Sequence, residues 1–237
     1  MNFRTLIYCT IFFILFFSTS CKSQEGKHLF ILSGQSNMAR LSPDISFIPA
    51  LESKYGKENL VVVKDAKGSQ PISEWYKEWR SPYEEKAIKT GELYNILIKK
   101  VFDSIKNKNI ETVTFIWMQG ERDARMKFSS VYEESLMGVY KQLQEDLKQE
   151  NIYMVIGRLS DFDMQNEKWL HWTKIRDIQV KVGESNPKFA WINTDDLNTG
   201  IDNNGKEVTN DLHLTKEGYK ILGERFAEKA IELIQKN

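Results

Sequence analysis

Short apolar segments alternate with longer amphipathic ones along most of the chain, and this alternation is the feature that most restricts the possible folds. The apolar segments are rich in β-branched and aromatic residues and are hydrophobic almost without interruption. This pattern is typical of parallel strands that are covered on both faces. We predict strands at residues 28–33, 60–64, 112–118, 152–157 and 189–193.

The segments between these strands repeat apolar residues at helical spacing. We predict helices at residues 91–106, 130–150, 169–182 and 216–235. Strands that alternate with helices of this length indicate β-α-β units, in which neighbouring strands run parallel. The sequence therefore predicts an α/β fold built on a central parallel sheet.

The first residues differ in character from the rest. Arg4 precedes an almost wholly apolar run at residues 6–17, and small residues follow at 18–20. This pattern predicts a secretory signal peptide at residues 1–20. The apolar run is too short for an ordinary membrane-spanning helix, which needs roughly 20 residues. An uncleaved N-terminal anchor is the alternative interpretation.

Cys21 directly follows the small residues, and this arrangement resembles the lipobox of bacterial lipoproteins. The resemblance implies cleavage before Cys21, lipid attachment to that cysteine and a short tether at residues 21–27. It also implies an exported lipoprotein of the cell envelope that is held to the membrane by its lipid. A plain signal with an incidental cysteine is the alternative. A single domain, residues 28–237, follows the tether.

Composition excludes several classes of protein. The chain has 33 basic and 33 acidic residues, so it lacks the basic footprint that nucleic-acid binding usually needs. The other of its two cysteines, Cys9, lies inside the predicted signal. The mature chain therefore has no cysteine pair for an internal disulfide and no cysteine-based zinc site.

Two loops that follow predicted strands carry candidate catalytic groups, since active sites of open parallel sheets lie beyond the carboxyl ends of the strands. The first loop, residues 34–38, reads GQSNM and places Ser36 on a tight turn. Ser36 could project its hydroxyl into a cleft, or Ser36 or Asn37 could merely cap a helix. The second loop contains Gly68, which either brings a backbone N–H close to a ligand or serves as an ordinary turn glycine.

The loop after the third strand concentrates polar groups at residues 119–123. Gln119 could supply a neutral N–H donor to an oxyanion. Glu121 and Asp123 could be general bases, could orient a histidine, or could be surface charges paired with arginine.

His213 is the strongest base candidate among three histidines, and Asp211 precedes it by two residues. A carboxylate near a histidine can hold the tautomer that accepts a serine proton. His28 opens the first strand, at the wrong end for a site, and His171 lies in an aromatic stretch that could border a cleft. A solvated or helix-capping histidine is the alternative for His213.

Taken in order, four blocks resemble SGNH hydrolases, and more narrowly the sialate O-acetylesterase and acetylxylan-esterase group, which is similar to carbohydrate esterase family 6. The resemblance covers about residues 28–230. Its blocks are GQSNM at 34–38, the Gly68 loop, WMQGE at 117–121 and DLHL at 211–214. The resemblance implies a three-layer α/β/α sandwich, flavodoxin-like, and a serine esterase that removes O-acetyl groups from carbohydrates. It implies no metal and no cofactor.

The same resemblance implies a role for each candidate. Ser36 attacks the acetyl carbonyl, and His213 accepts the serine proton. The backbone N–H groups of Ser36 and Gly68 hold the oxyanion together with the Gln119 amide. The family usually carries its acid three residues before the histidine, where this chain has Asn210. The acid is therefore Asp211 or Glu121, or the site is a dyad.

Aromatic residues near these loops are candidate sugar-stacking groups, with core packing as the alternative for each. They are Trp75, Tyr76 and Trp172. Two other functions compete with the carbohydrate esterase. One is a short-chain lipase or thioesterase that uses the same machinery, and the other is a surface lipoprotein that binds sugars without catalysis.

Overall fold

The computed structural model describes residues 26–83 and 89–236. The predicted signal peptide, the lipid-attachment cysteine Cys21 and most of the predicted tether lie outside the described residues. None of the helices in the described part of the chain combines the length and the hydropathy that a bilayer span requires.

A five-stranded parallel sheet forms the centre of the fold, with strand order β2-β1-β3-β4-β5. Each strand lies within two residues of its predicted bounds at either end, so the predicted parallel sheet is confirmed. The strands are β1 Lys27–Gly34, β2 Leu60–Ala66, β3 Ile110–Met118, β4 Ile152–Gly157 and β5 Phe189–Ile192.

Helices cover both faces of the sheet. They are α1 Ser36–Arg40, α2 Phe47–Tyr55, α3 Glu92–Ile105, α4 Glu121–Met126, α5 Ser129–Leu147, α6 Trp172–Glu184 and α7 Lys216–Lys236. A short antiparallel hairpin, β6 Gly200–Ile201 and β7 Glu207–Val208, precedes α7. Helix α2 was not predicted from the sequence; Pro49 stands in its first turn, a position that tolerates proline.

Alternate side chains of β1 enter two separate cores. Leu29 and Ile31 pack with α3, α5 and α6 on one face of the sheet. Phe30 and Leu32 pack with α2 and α7 on the other face. All four side chains are fully buried, and burial of a side chain of this size contributes about 1.5–3 kcal/mol. The two cores confirm the three-layer α/β/α sandwich.

The carboxyl ends of β1 and β3 approach each other unusually closely at Gly34. Its φ is +144°, and a Cβ at this position would lie 1.9 Å from the carbonyl oxygen of Met118. The next residue, Gln35, donates its backbone N–H to that same oxygen at 3.0 Å. Glycine is required here because no side chain fits. The loop after β1 is therefore pinned against the end of β3, where the candidate site residues meet.

Candidate active site

Ser36 and His213 meet at the carboxyl edge of the sheet. Ser36 begins α1, separated from the end of β1 by one residue, and His213 lies in the loop before α7. His213 Nε2 is 3.2 Å from Ser36 Oγ, although the two residues are 177 positions apart in the sequence. Both side chains are partly exposed. This is the hydrogen-bonded geometry that a serine nucleophile and its base require.

The surroundings of His213 favour the neutral imidazole. Partial burial lowers the pKa of His213 below its ordinary value, the positive charge of Arg40 lowers it further, and the Asp211 carboxylate opposes both effects. A neutral ring at neutral pH can accept the hydroxyl proton of Ser36, so the histidine is in the protonation state that a general base needs.

Asp211 shapes the His213 loop through the backbone. Its Oδ1 accepts the backbone N–H of His213 at 2.9 Å. Its own N–H donates to the carbonyl oxygen of Asn198 at 3.0 Å. Among the residues that the structure describes, no carboxylate lies within ion-pair distance of the His213 ring. The prediction that Asp211 holds the imidazole therefore needs correction, because an aspartate two residues before its partner forms a local Asx turn instead.

Asn37, the residue after the nucleophile, fastens the His213 loop to the serine turn. Its Nδ2 donates to the carbonyl oxygen of Leu212 at 3.2 Å and to Glu121 Oε1 at 3.0 Å. Its Oδ1 accepts the backbone N–H of Leu214 at 3.4 Å and the hydroxyl of Tyr219 at 2.8 Å. The side chain is buried, and it is hydrogen-bonded to the backbone of Leu212 and Leu214, on either side of His213. The sequence indicated only a helix-capping role for Asn37, so this role was not predicted.

Glu121 supports Asn37 and does not touch the histidine. Its carboxyl group is almost fully buried, Oε1 accepts from Asn37, and Oε2 has no hydrogen-bond partner among the described residues. Burial raises the pKa of Glu121 to about 7, and the hydrogen bond from Asn37 opposes that shift. The surface-charge alternative is wrong for this residue. As an orienter of His213, Glu121 can act only through Asn37.

Gln119 is fully buried and committed to other partners. Its Nε2 donates to the carbonyl oxygen of Gln70 at 3.1 Å, to Gln35 Oε1 at 3.3 Å and to Asp123 Oδ2. The prediction that its amide faces the oxyanion is therefore wrong for this geometry, because the group is enclosed.

Asp123 is also fully buried, so its surface-charge alternative is wrong. Burial raises its pKa to about 7, and its Oδ2 accepts the backbone N–H of Ile72 at 2.9 Å.

Gly68 lies beside the nucleophile. A Cβ built on it would be 3.6 Å from the Cβ of Ser36. The carbonyl oxygen of Gly68 accepts from Gln70 Nε2 at 3.1 Å, and the carbonyl oxygen of Gln70 is held by Gln119. The buried amide of Gln119 thus braces the loop that carries Gly68. The backbone N–H of Gly68 as an oxyanion donor stays a prediction.

Both tryptophans predicted to stack on sugar lie in the core. Trp75 is fully buried, and its Nε1 donates to Ser33 Oγ at 2.9 Å. Trp172 is fully buried too, and its Nε1 donates to the carbonyl oxygen of Ser160 at 2.7 Å. The stacking prediction is wrong for both, because neither ring presents a face to a ligand. Core packing, the alternative weighed for each, is the outcome.

Three other candidates lie away from the serine–histidine pair. Nδ1 of His28 is 2.8 Å from Thr112 Oγ1 at the amino end of β1. Nδ1 of His171 is 2.8 Å from Ser129 Oγ. Tyr76 lines a cavity of about 650 Å³ whose walls include neither Ser36 nor His213. In the residues that the structure covers, no three His, Cys, Asp or Glu side chains are grouped as metal ligands.

Several solved structures share this architecture at low sequence identity. A protein from Arabidopsis thaliana is 18% identical, with a TM-score of 0.66 over 87% of this chain and 98% of that one. NanS is 10% identical, with a TM-score of 0.61 over 90% and 98%. A carbohydrate acetylesterase from Xanthomonas citri is 18% identical, with a TM-score of 0.64 over 90% of this chain and 57% of that one. These likenesses show a common fold.

Comparison with curated protein sequences gives no match. A family profile does match, over residues 39–232, a region that begins just after Ser36 and includes His213. It describes a carbohydrate esterase, the sialic acid-specific acetylesterase, and it covers most of the chain. The chain therefore belongs to the sialic acid-specific acetylesterase family of carbohydrate esterases and is a carboxylic ester hydrolase.

Proposed function

We propose that this protein removes O-acetyl groups from carbohydrates by serine catalysis, with Ser36 as the nucleophile and His213 as the general base. The observation that carries the proposal is the 3.2 Å contact between His213 Nε2 and Ser36 Oγ. Membership of an acetylesterase family supports the choice of an acetyl ester as substrate. The lowered pKa of His213 supports its role as a base at neutral pH.

The reaction follows from the positions of these groups. Ser36 Oγ attacks the acetyl carbonyl carbon while His213 Nε2 takes the hydroxyl proton. The tetrahedral intermediate collapses when the bond to the sugar oxygen breaks, and His213 returns the proton to that oxygen. Water then attacks the acetyl-serine, with His213 again accepting a proton. Acetate leaves, and the serine regains its hydrogen from the imidazolium.

The oxyanion would face the backbone N–H groups of Ser36 and Gly68. With Gln119 enclosed, we infer two donors in place of three, and a bracing role for the Gln119 side chain behind the Gly68 loop. Donors of this kind act on the charge that develops in the transition state, and loss of one typically costs about 10²–10³-fold in kcat.

The test is acetate release by the full chain and by Ser36→Ala. The substrates are 4-nitrophenyl acetate, acetylated xylan and O-acetylated sialic acid. Ser130→Ala is the matched control, since Ser130 is exposed on α5. We expect Ser36→Ala to lose at least about 10³-fold in kcat, as removal of one member of such a unit does elsewhere, while Ser130→Ala keeps wild-type rates. Serine-independent release would disprove the proposed mechanism.

We also propose that the protein is an exported lipoprotein anchored through Cys21. The support is the sequence pattern of residues 4–21. Cells that produce the protein would incorporate a labelled fatty acid into it, and Cys21→Ala would abolish that label. Equal labelling of the two proteins would disprove the anchor at this residue.

A further inference from the structure

The loop that carries His213, residues 209–215, lies against the loop that follows β5. This second loop, residues 193–199, is called the β5 loop below. The carbonyl oxygen of Leu197, in the β5 loop, accepts the backbone N–H of Thr215 at 2.9 Å and the Thr215 hydroxyl at 3.1 Å. The β5 loop therefore fixes the end of the His213 loop that enters α7.

The next residue of the β5 loop, Asn198, holds the other end of the His213 loop. Its carbonyl oxygen accepts the backbone N–H of Asp211 at 3.0 Å, and its Nδ2 donates to the carbonyl oxygen of Asp211 at 3.2 Å. Both backbone polar groups of Asp211 are thus bound by one residue. Nδ2 of Asn198 also lies 3.0 Å from Asn210 Oδ1 and 3.1 Å from Asp161 Oδ1. The Asn198 side chain is buried, so these contacts are shielded from water.

The chain turns sharply just before Asp211. Asn210 has a φ of +48°, in the left-handed region that few residues other than glycine adopt, although asparagine does so more readily than most. Such a conformation persists where the surrounding contacts enforce it. Here the β5 loop supplies them, since Asn210 also donates its backbone N–H to Thr199 Oγ1 at 2.9 Å.

The hold on Asp211 reaches the catalytic pair in one further step. Asp211 Oδ1 accepts the backbone N–H of His213 at 2.9 Å, so the position of Asp211 fixes the chain where it enters His213. Asn37 binds the same loop from the side of β1, and Asn198 binds it from the side of β5. A loop that is bound from one side alone can pivot about that side, whereas two sets of contacts fix its backbone.

We propose that Asn198 is a positioning residue of the active site, which holds the Asp211 backbone and thereby keeps His213 Nε2 within reach of Ser36 Oγ. Asn198 does not touch the reacting atoms. The inference rests on the proposed function, in which His213 is the base for Ser36. Misplacement of a catalytic group by about 1 Å can cost about 10²-fold in rate, so contacts that fix a histidine loop bear directly on turnover.

The kinetic test compares the full chain with Asn198→Ala and with a matched control, Asn203→Ala. Asn203 is an exposed asparagine in the same connection between β5 and α7. The substrate is 4-nitrophenyl acetate. Asn198→Ala should lower kcat at least about tenfold and leave KM near the wild-type value, because geometry for the reaction is lost and substrate binding is not. Asn203→Ala should keep both constants.

A second variant, Asn198→Asp, guards against a failure of Asn198→Ala to fold. It keeps the size of the side chain and puts an oxygen in place of the N–H donors. That oxygen would face the carbonyl oxygen of Asp211, so kcat should fall at least about tenfold here as well.

The pKa of the His213 ring, followed by NMR, separates positioning from a purely structural role. The chain has three histidines, so His28 and His171 serve as internal references. Partial burial lowers the pKa of His213 in the wild type. In Asn198→Ala the freed loop should expose the ring, and the pKa should rise towards its ordinary value while the two references stay unchanged. A purely structural role would lower the thermal midpoint and leave the pKa of His213 in the folded protein as it was.

An unchanged pKa of His213 in folded Asn198→Ala, or wild-type kcat in either variant, would overturn the positioning role. Failure of the catalytic proposal has a different signature. Ser36→Ala would then release acetate at the wild-type rate, and the NMR titration would still report whether Asn198 holds His213 in place.

Discussion

The buried carboxyl group of Glu121 makes the stability of this protein depend on pH in a way that one substitution should reveal. Burial raises the pKa of Glu121 from 4.5 to about 7. Its protonated form therefore stabilises the fold fully below pH 4.5, and this contribution is lost as the pH rises through about 7. Glu121→Gln keeps an oxygen for Asn37 to donate to and removes the ionisation.

The size of the effect follows from the shift. One pKa unit corresponds to about 1.4 kcal/mol, and the shift from 4.5 to about 7 therefore corresponds to about 3 kcal/mol in the free energy of unfolding. We expect the free energy of unfolding of Glu121→Gln, minus that of wild type, to become more positive by about 3 kcal/mol between pH 4 and pH 8. Asp123 is present in both proteins, so its own ionisation largely cancels.

Urea titrations at several pH values measure this difference directly. Any pH-independent cost of the new amide shifts every point equally and leaves the trend intact. Glu228→Gln is the matched control, since Glu228 is exposed on α7, and its difference from wild type should stay flat. A flat line for Glu121→Gln as well would refute the reasoning, because it would mean that the folded protein carries this charge without cost.

Three further predictions concern the catalytic pair. Asn37→Ala should lower kcat about 10²-fold, because His213 is then misplaced, and should also lower the thermal midpoint. Tyr219→Phe removes only one hydrogen bond of Asn37 and should lower kcat and the thermal midpoint by less. Equal kcat for Asn37→Ala and wild type would contradict this prediction. Asp211→Asn keeps an oxygen that can accept the backbone N–H of His213, so kcat in a steady-state assay should stay within about tenfold of wild type. A loss of about 10⁴-fold would instead indicate that Asp211 holds the imidazole. The acid limb of the pH profile of kcat/KM should have an apparent pKa below 6.5. In Arg40→Gln this limb should move to higher pH, because a positive charge that lowers the pKa of His213 is gone. A profile that is flat down to pH 4 would exclude His213 as the base.

The central strands β1, β3 and β4 could be predicted because most of their residues are buried on both faces, which leaves a nearly unbroken apolar run for each. The edge strands β2 and β5 are only partly buried, but each carries a short apolar run as well. The serine turn could be predicted too, since it directly follows the first of these runs. The tryptophans show the limit of such reasoning. An aromatic side chain in a polar loop suits a sugar-binding face and a core equally well, and only the packing around Trp75 and Trp172 decides the matter.

The support of the histidine could not be predicted for a different reason. Asn37 and Glu121 are 84 residues apart, and they meet because β1 lies next to β3 in the sheet. The alternation of strands and helices predicts that a parallel sheet forms, but it does not give the order of its strands. Asp211 drew attention because it is close to His213 in sequence, and that closeness commits it to a local turn.

The direction of β1 sets how the enzyme would meet its substrate. The strand starts at Lys27 and ends at Gly34, and its eight residues span roughly 26 Å from the amino end of the sheet to the carboxyl end. The proposed lipid at Cys21 would hold the amino end of β1 nearer the bilayer. Ser36 and His213 lie at the carboxyl end of the sheet and would therefore lie farther from the bilayer. With such an anchor, glycans in the surrounding medium would meet the site more readily than glycolipids of the membrane that carries the anchor.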